Sequence, residues 1–151
     1  MTDITVLVEP CPLSEDAIEH IVAVALDFGD AAGLELGVVL APDDMMVDLH
    51  GEYLDDPTPT DVITFDLREG GPRLEGALDG ELYVGIEEAA RVAERRGVTF
   101  ERELALYIVH GVLHLVGFDD LIEVDASAMR VAEATVMERL GYPADTLPHH
   151  M

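Results

Sequence analysis

The sequence predicts one α+β domain, a small mixed sheet of four strands packed with four to six helices. Three observations carry this. Short β-branched or apolar runs alternate with longer stretches whose apolar residues recur at helical spacing. The segments fall in the order β-α-β-α-β-β-α-α-α, which suits a layered domain. The chain has 151 residues, 49% of them hydrophobic, enough for one core.

Each element has its own signal. Ile4 to Val8 is short, β-branched and stopped by Glu9-Pro10-Cys11-Pro12, as a strand would be. Ser14 is placed to cap a helix, with Leu13 before it as a staple. Ile18, Ile21, Val22 and Ala25 follow at helical spacing, and Gly29 marks the stop. Leu34 to Leu40 reads as a second strand. Pro42 to Tyr53 reads as a helix with Asp43 and Asp44 in its first turn, where the helix dipole favours negative charge. Asp55 to Thr60, with two prolines, is a turn or loop. Asp61 to Phe65 is strand-like. Glu69 to Asp79 holds three Gly and one Pro and reads as a surface loop. Glu81 to Val84 is a strand. Ile86 to Arg96 is a helix closed by Gly97, with Glu87 and Arg91 spaced as a supporting pair.

Thr99 caps the next helix, which carries an uncharged run of 15 residues from Leu104 to Phe118. A membrane span needs about 20 residues, so this run is expected to be a buried helix, central against the sheet. The last helix runs from Glu123 to Leu140 with Met129, Ala132, Val136 and Leu140 as its stripe. Gly141 and Pro143 stop it. The domain is expected to span residues 1–143, with 144–151 a flexible tail.

Charge and composition exclude several classes. Asp and Glu number 32 against eight Arg and no Lys, a net charge of -24. The apolar content is too high for a disordered chain. A single Cys11 makes no internal disulfide, which suits a reducing cytosol. The N-terminus, Met1-Thr2-Asp3-Ile4, has neither the basic start nor the apolar stretch of a secretion signal, so a cytoplasmic location is expected. Gripping a phosphate backbone needs several Lys or Arg contacts. The acidity therefore argues against a stand-alone nucleic-acid clamp and against an anionic membrane partner. It suits simple solubility, a salt-rich cytosol or a basic protein partner.

The chemistry concentrates in Tyr107 to Asp120. His110 and His114 are four apart on a helix, so their side chains share one face with Cβ atoms about 5–6 Å apart. Two imidazoles at that spacing can share a metal. Gly117 can take the left-handed conformation that ends a helix, and the chain can then return Asp119 or Asp120 to the same point. Two His and one carboxylate leave a position open for water, the composition of a catalytic zinc site. The zinc-peptidase spacing would make His110, His114 and Asp120 the ligands, with Gly117 at its glycine position. The peptidase base would then fall on Gly111, which has no side chain to serve. The structural alternative is a pair of core histidines with hydrogen-bond partners.

His110-Gly111-x-Leu113-His114-Leu115-x-Gly117-Phe118-Asp119-Asp120 resembles the signature HGxLHLxGYDH of the YbeY family. Pro59-Thr60-Asp61-Val62-Ile63-Thr64-Phe65 resembles that family's PTDVLSF strand, and Gly80-Glu81-Leu82 its GDI strand start. The run Met129, Glu133, Val136, Met137, Leu140, Gly141 resembles its C-terminal helix. The resemblance covers nearly the whole chain in the right order. It implies a bacterial metal-dependent, single-strand endoribonuclease of 16S rRNA 3'-end maturation and ribosome quality control. It implies one Zn2+ per chain held by His110, His114 and Asp120; His110, His114 and, from its place in the turn, Asp119 are the catalytic candidates. It also implies rRNA and the small ribosomal subunit as partners; the net charge of -24 suggests that they are approached through basic ribosomal proteins, and that no membrane is a partner.

Two positions depart from the family. Asp120 stands where its third histidine ligand does, a carboxylate that zinc accepts. His50 and Leu54 stand where an Asn-x-x-x-Arg pair is usual, and Leu54 cannot meet a phosphate. The alternative reading is therefore a ribosome-assembly binding factor that keeps the metal fold with weakened catalysis. Other residues have two readings each. Asp119 is a hydrogen-bond partner or base of the site, or an exposed turn acid. His50 faces the site or lies on a helix surface. Asp61 and Thr64 read as structural. Arg91, Arg95, Arg96 and Arg102 are an RNA-facing patch or, with interleaved Glu87, Glu94, Glu101 and Glu103, a solvated face. His149 and His150 belong to the tail and not to the site.

Overall fold

Among the described residues nine elements follow in the predicted order: β1 (Thr2–Val6), α1 (Glu15–Phe28), β2 (Leu36–Ala41), α2 (Asp43–Leu54), β3 (Val62–Asp66), β4 (Gly80–Gly85), α3 (Ile86–Arg96), α4 (Phe100–Leu115) and α5 (Glu123–Arg139). The computed structural model describes residues 2–54, 62–68, 78–117 and 123–142, with the backbone alone at 50–54 and 123–126. The expected loops at 55–60 and 69–77 and the tail at 144–151 lie outside the described residues.

The four strands form one mixed sheet in the order β1-β2-β4-β3. β1 and β4 both run parallel to β2, and β3 returns antiparallel to β4 with Ile63 opposite Tyr83. Parallel neighbours need a crossover, and α1 supplies the one between β1 and β2. Leu36, Val38 and Leu40 of β2 and Leu82 and Val84 of β4 are wholly buried. α4 lies across this surface and packs against α1, α3, α5, β3 and β4. The uncharged run thus becomes the central helix, as its composition predicts. No helix among the described residues is long and apolar enough to cross a membrane.

Local signals set the helix ends. Ser14 accepts a hydrogen bond from Ala17 N at 3.1 Å, and Thr99 accepts one from Arg102 N at 3.1 Å. Each satisfies one otherwise unpaired amide of the first turn. Gly97 closes α3 at φ 70°, in the left-handed region that a side chain disfavours.

Three expectations need correction. β1 covers Thr2–Val6, earlier than Ile4 to Val8. Its register pairs Thr2 with Leu36 and Val6 with Leu40. Ile4 and Val6 pack against the core, while Leu7 is exposed. Glu87 does not pair with Arg91. Glu87 Oε1 instead accepts from Asp43 N at 2.8 Å, capping α2 from another helix. Arg91 forks onto Asp43 at 2.7 and 3.0 Å and reaches Glu88 at 3.1 Å. Its positive form is favoured by those hydrogen bonds, to Asp43 first. The four arginines of this region also form neither a patch nor a uniformly solvated face. Arg96 and Arg102 are buried, and Arg96 Nη1 donates to buried Glu103 at 2.8 Å. Charge counted along the sequence misses that the end of α3 and the start of α4 bury an ion pair between them.

Candidate active site

His110 and His114 lie on the C-terminal half of α4, one turn apart. Their rings are nearly parallel, 20° between planes, with centroids 6.5 Å apart. The helix brings the two predicted residues together as their spacing requires. Asp119 and Asp120 lie outside the described residues, as does Asp61. His50 and Leu54 are described as α2 backbone only. Among the described residues no group of three or more His, Cys, Asp or Glu forms a metal-holding cluster.

The two rings are held differently. His110 is buried, and its Nδ1 meets Oε2 of buried Glu133 on α5. With the carboxylate as acceptor, Nδ1 is the donor and the Nε2 lone pair is the one a metal can take. A carboxylate behind a histidine fixes its ring and raises its basicity as a ligand. His114 is exposed, and its ring makes no hydrogen bond among the described residues.

The donor chemistry fits zinc. Two imidazoles on one tetrahedral zinc, with Zn–N near 2.1 Å, put their centroids about 5 Å apart. The pair is therefore somewhat wider than a loaded site. The exposed, unbraced His114 ring is the one able to close that gap.

The backbone around the pair is tightly placed. A Cβ on Gly111 would collide with Leu82 of β4 and come within 2.9 Å of Val62 Cγ2 of β3. Position 111 faces the sheet, so a peptidase-type glutamate has no room there. The missing base of the peptidase reading has a steric cause. At the helix end, Val116 N donates to Val112 O at 3.1 Å and Gly117 N to His114 O at 3.2 Å. Gly117 then turns at φ 114°, as its place after His114 predicts.

Sequence reasoning about the site missed two residues. Glu133 follows Met129 by four and precedes Val136 by three, so it falls on the buried stripe of α5. An acid on an apolar stripe is a legible sign of a partnered group. Arg68, just beyond β3, donates from Nη2 to Leu115 O at 3.0 Å, and nothing in the sequence announces a bond spanning 47 positions.

The sheet order, the central helix and its histidine pair define a small α+β protein with two imidazoles side by side at a helix end. Comparison with known proteins makes this specific. A family model described as Endoribonuclease YbeY matches residues 9–141. Endoribonuclease YbeY of Desulforamulus reducens is 36% identical over 129 residues, covering 82% of this chain and 84% of that protein. Endoribonuclease YbeY of Salinibacter ruber is 35% identical over 125 residues, covering 80% of each. The chain belongs to the endoribonuclease YbeY family, as its histidine motif and strand segments imply. The solution structure of TM1509 from Thermotoga maritima shares the fold, with a TM-score of 0.59 at 23% identity over 92% of this chain and 91% of that one.

Proposed function

We propose that this chain is a zinc-dependent, single-strand-specific endoribonuclease acting in the cytoplasm on the 3' end of 16S rRNA and in ribosome quality control. The observation that supports it most is His110 backed by buried Glu133 beside His114, in a chain of this family. His110, His114 and Asp120 hold one Zn2+ in this reading. Zinc there would act as a Lewis acid on the phosphodiester and as an activator of water. Glu133 keeps the His110 proton on Nδ1, so that Nε2 stays a ligand. The core packing of α4 fixes the histidine backbone. Asp119, beside Asp120, is the candidate to hydrogen-bond a ligand or accept a proton.

A second reading is favoured by the charge distribution. Arg68, Arg91 and Arg95 on the surface are all paired with acids, and Arg96 is buried. Among the described residues this leaves Arg130, which donates to Ser127, and Arg139, stacked on Phe28, as the surface arginines on no acid, little for a chain of net charge -24 to offer a phosphate backbone. A ribosome-assembly factor with weakened catalysis, recruited to the small subunit by basic ribosomal proteins, accounts for that.

The deciding experiment is metal content and cleavage of single-stranded RNA by full-length protein with His149 and His150 replaced by Ala. About one zinc per chain is expected, lowered by Asp120→Ala and tightened by Asp120→His. Zinc retained in full by a His110→Ala, His114→Ala double variant ends the metal reading. Zinc present without cleavage selects the assembly factor.

A further inference from the structure

His110 has Glu133 to orient it, whereas the ring of His114 has no hydrogen-bond partner among the described residues. Where His114 sits is thus set by the backbone of the last turn of α4. A helix end leaves its final carbonyls without intrahelical partners, and such an end frays unless something satisfies them. Arg68 satisfies the carbonyl of Leu115, the residue next to His114. Its guanidinium is held for the task. Nε and Nη2 fork onto the two oxygens of Asp66 at 2.9 and 2.7 Å, and the same Nη2 reaches Leu115 O. The hydrogen bond to Asp66, above all, favours its charged form, and Asp79 adds to this. Asp79 is fixed in turn. Its Oδ2 accepts from Glu35 N at 2.7 Å, and its carbonyl accepts from Leu67 N at 3.0 Å. The cation is therefore anchored to the strand ends of the sheet and placed at the negative end of the helix dipole.

The same helix end is pressed into the body from two further sides. A Cβ on Gly80 would come within 2.7 Å of Leu115 Cδ2, and one on Gly29 within 2.7 Å of Val116 Cγ2. Side chains at the helix end thus fill the space that two glycines leave. The backbone from His114 to Gly117 is fixed by contacts that involve neither histidine ring.

We propose that Arg68 is a positioning residue of the metal site. Through the Leu115 carbonyl it holds the helix end that sets His114 and the Gly117 turn. The inference rests on the metal reading above, and it concerns a residue that touches no ligand itself.

The test uses the full chain with His149 and His150 replaced by Ala, and Co2+ as the probe, because its visible absorption reports the ligand geometry. Arg68→Ala is expected to weaken Co2+ binding on the order of tenfold, the usual loss when a partner behind a ligand is removed. Its absorption bands should shift. In the metal-free protein, amide exchange should quicken at Val116 and Gly117 and stay unchanged at His110. Arg68→Lys, which can still reach the carbonyl, should recover part of the affinity. Co2+ binding and spectra identical to those of the parent overturn the proposal, even if exchange quickens, because Arg68 then only caps a helix. Unchanged exchange at Val116 and Gly117 overturns it as well. A parent protein that binds no Co2+ removes the metal reading and this inference together, an outcome distinct from a parent and variant that bind alike.

Discussion

The two histidines of α4 are one turn apart and are secured by opposite means. His110 is fixed through its side chain, by a buried carboxylate reaching in from α5. Among the described residues, His114 is placed through its backbone, by Arg68 on the Leu115 carbonyl and by close packing at Gly80 and Gly29. One histidine is built into the core and the other stands at its edge. A site made this way combines one ring of fixed direction with one free to adjust to what it binds.

The largest expected effect separates the two by stability. His110→Ala leaves Glu133 buried without its imidazole and should cost on the order of 3 kcal/mol. His114→Ala removes an exposed ring and should stay within about 0.5 kcal/mol. Both should abolish tight zinc binding. Urea denaturation of the two metal-free variants checks this, and equal losses would show that Glu133 does not depend on His110.

Glu133→Gln sharpens the comparison at the level of the metal. The amide oxygen can still accept the Nδ1 proton but carries no charge, so His110 becomes a weaker base. Zinc affinity should fall about tenfold, read by titration calorimetry, while the protein still folds. Unchanged affinity would mean that the carboxylate serves packing alone.

Gly111→Ala probes the packing that both rings share. The added methyl meets Leu82, which is fully buried, and overpacking costs about 1–3 kcal/mol. Better helix propensity returns about 1 kcal/mol. A net loss near 1 kcal/mol is expected in thermal or urea unfolding, and a stabilised variant would show that α4 can lift from the sheet.

The smallest effect concerns the far end of the α4–α5 pair. Tyr142 donates to Glu101 at 3.1 Å, and burial, then that carboxylate, pushes its phenol up from 10.0 to about 12. A raised folded value means the protonated phenol stabilises the fold. The contribution is present in full below about pH 10 and is lost as pH climbs through about 12. Tyr142→Phe should lower stability by no more than about 1 kcal/mol at neutral pH. It should also remove the late-titrating component of the phenolate absorbance. A phenol that titrates near 10 in the parent protein would dissolve the Tyr142–Glu101 link.

Local features were legible in the sequence wherever local chemistry decides them. Ser14 and Thr99 cap the helices they were expected to cap, and α3 runs from Ile86 to Arg96 as its spacing indicates. The histidine pair was legible because a helix converts four positions into one face. What escaped depends on distant partners. Arg96 and Arg102 look like surface charge until α3 and α4 fold against each other. Glu87 looks like a partner for Arg91 until Asp43 arrives from α2 with both an amide and a carboxylate. Arg68 becomes part of the site only through a carbonyl that every residue possesses.

The close approach at Gly111 also bears on what this scaffold can become. A glutamate between the two histidines is the base that a peptidase-type helix would need. Here its Cβ alone would collide with Leu82 and Val62. A lineage starting from this chain would have to spread β3 and β4 away from α4 before such an acid could fit, and the intermediate forms would be less stable. A glutamate at position 111 thus comes with a displacement of the sheet side chains beneath α4.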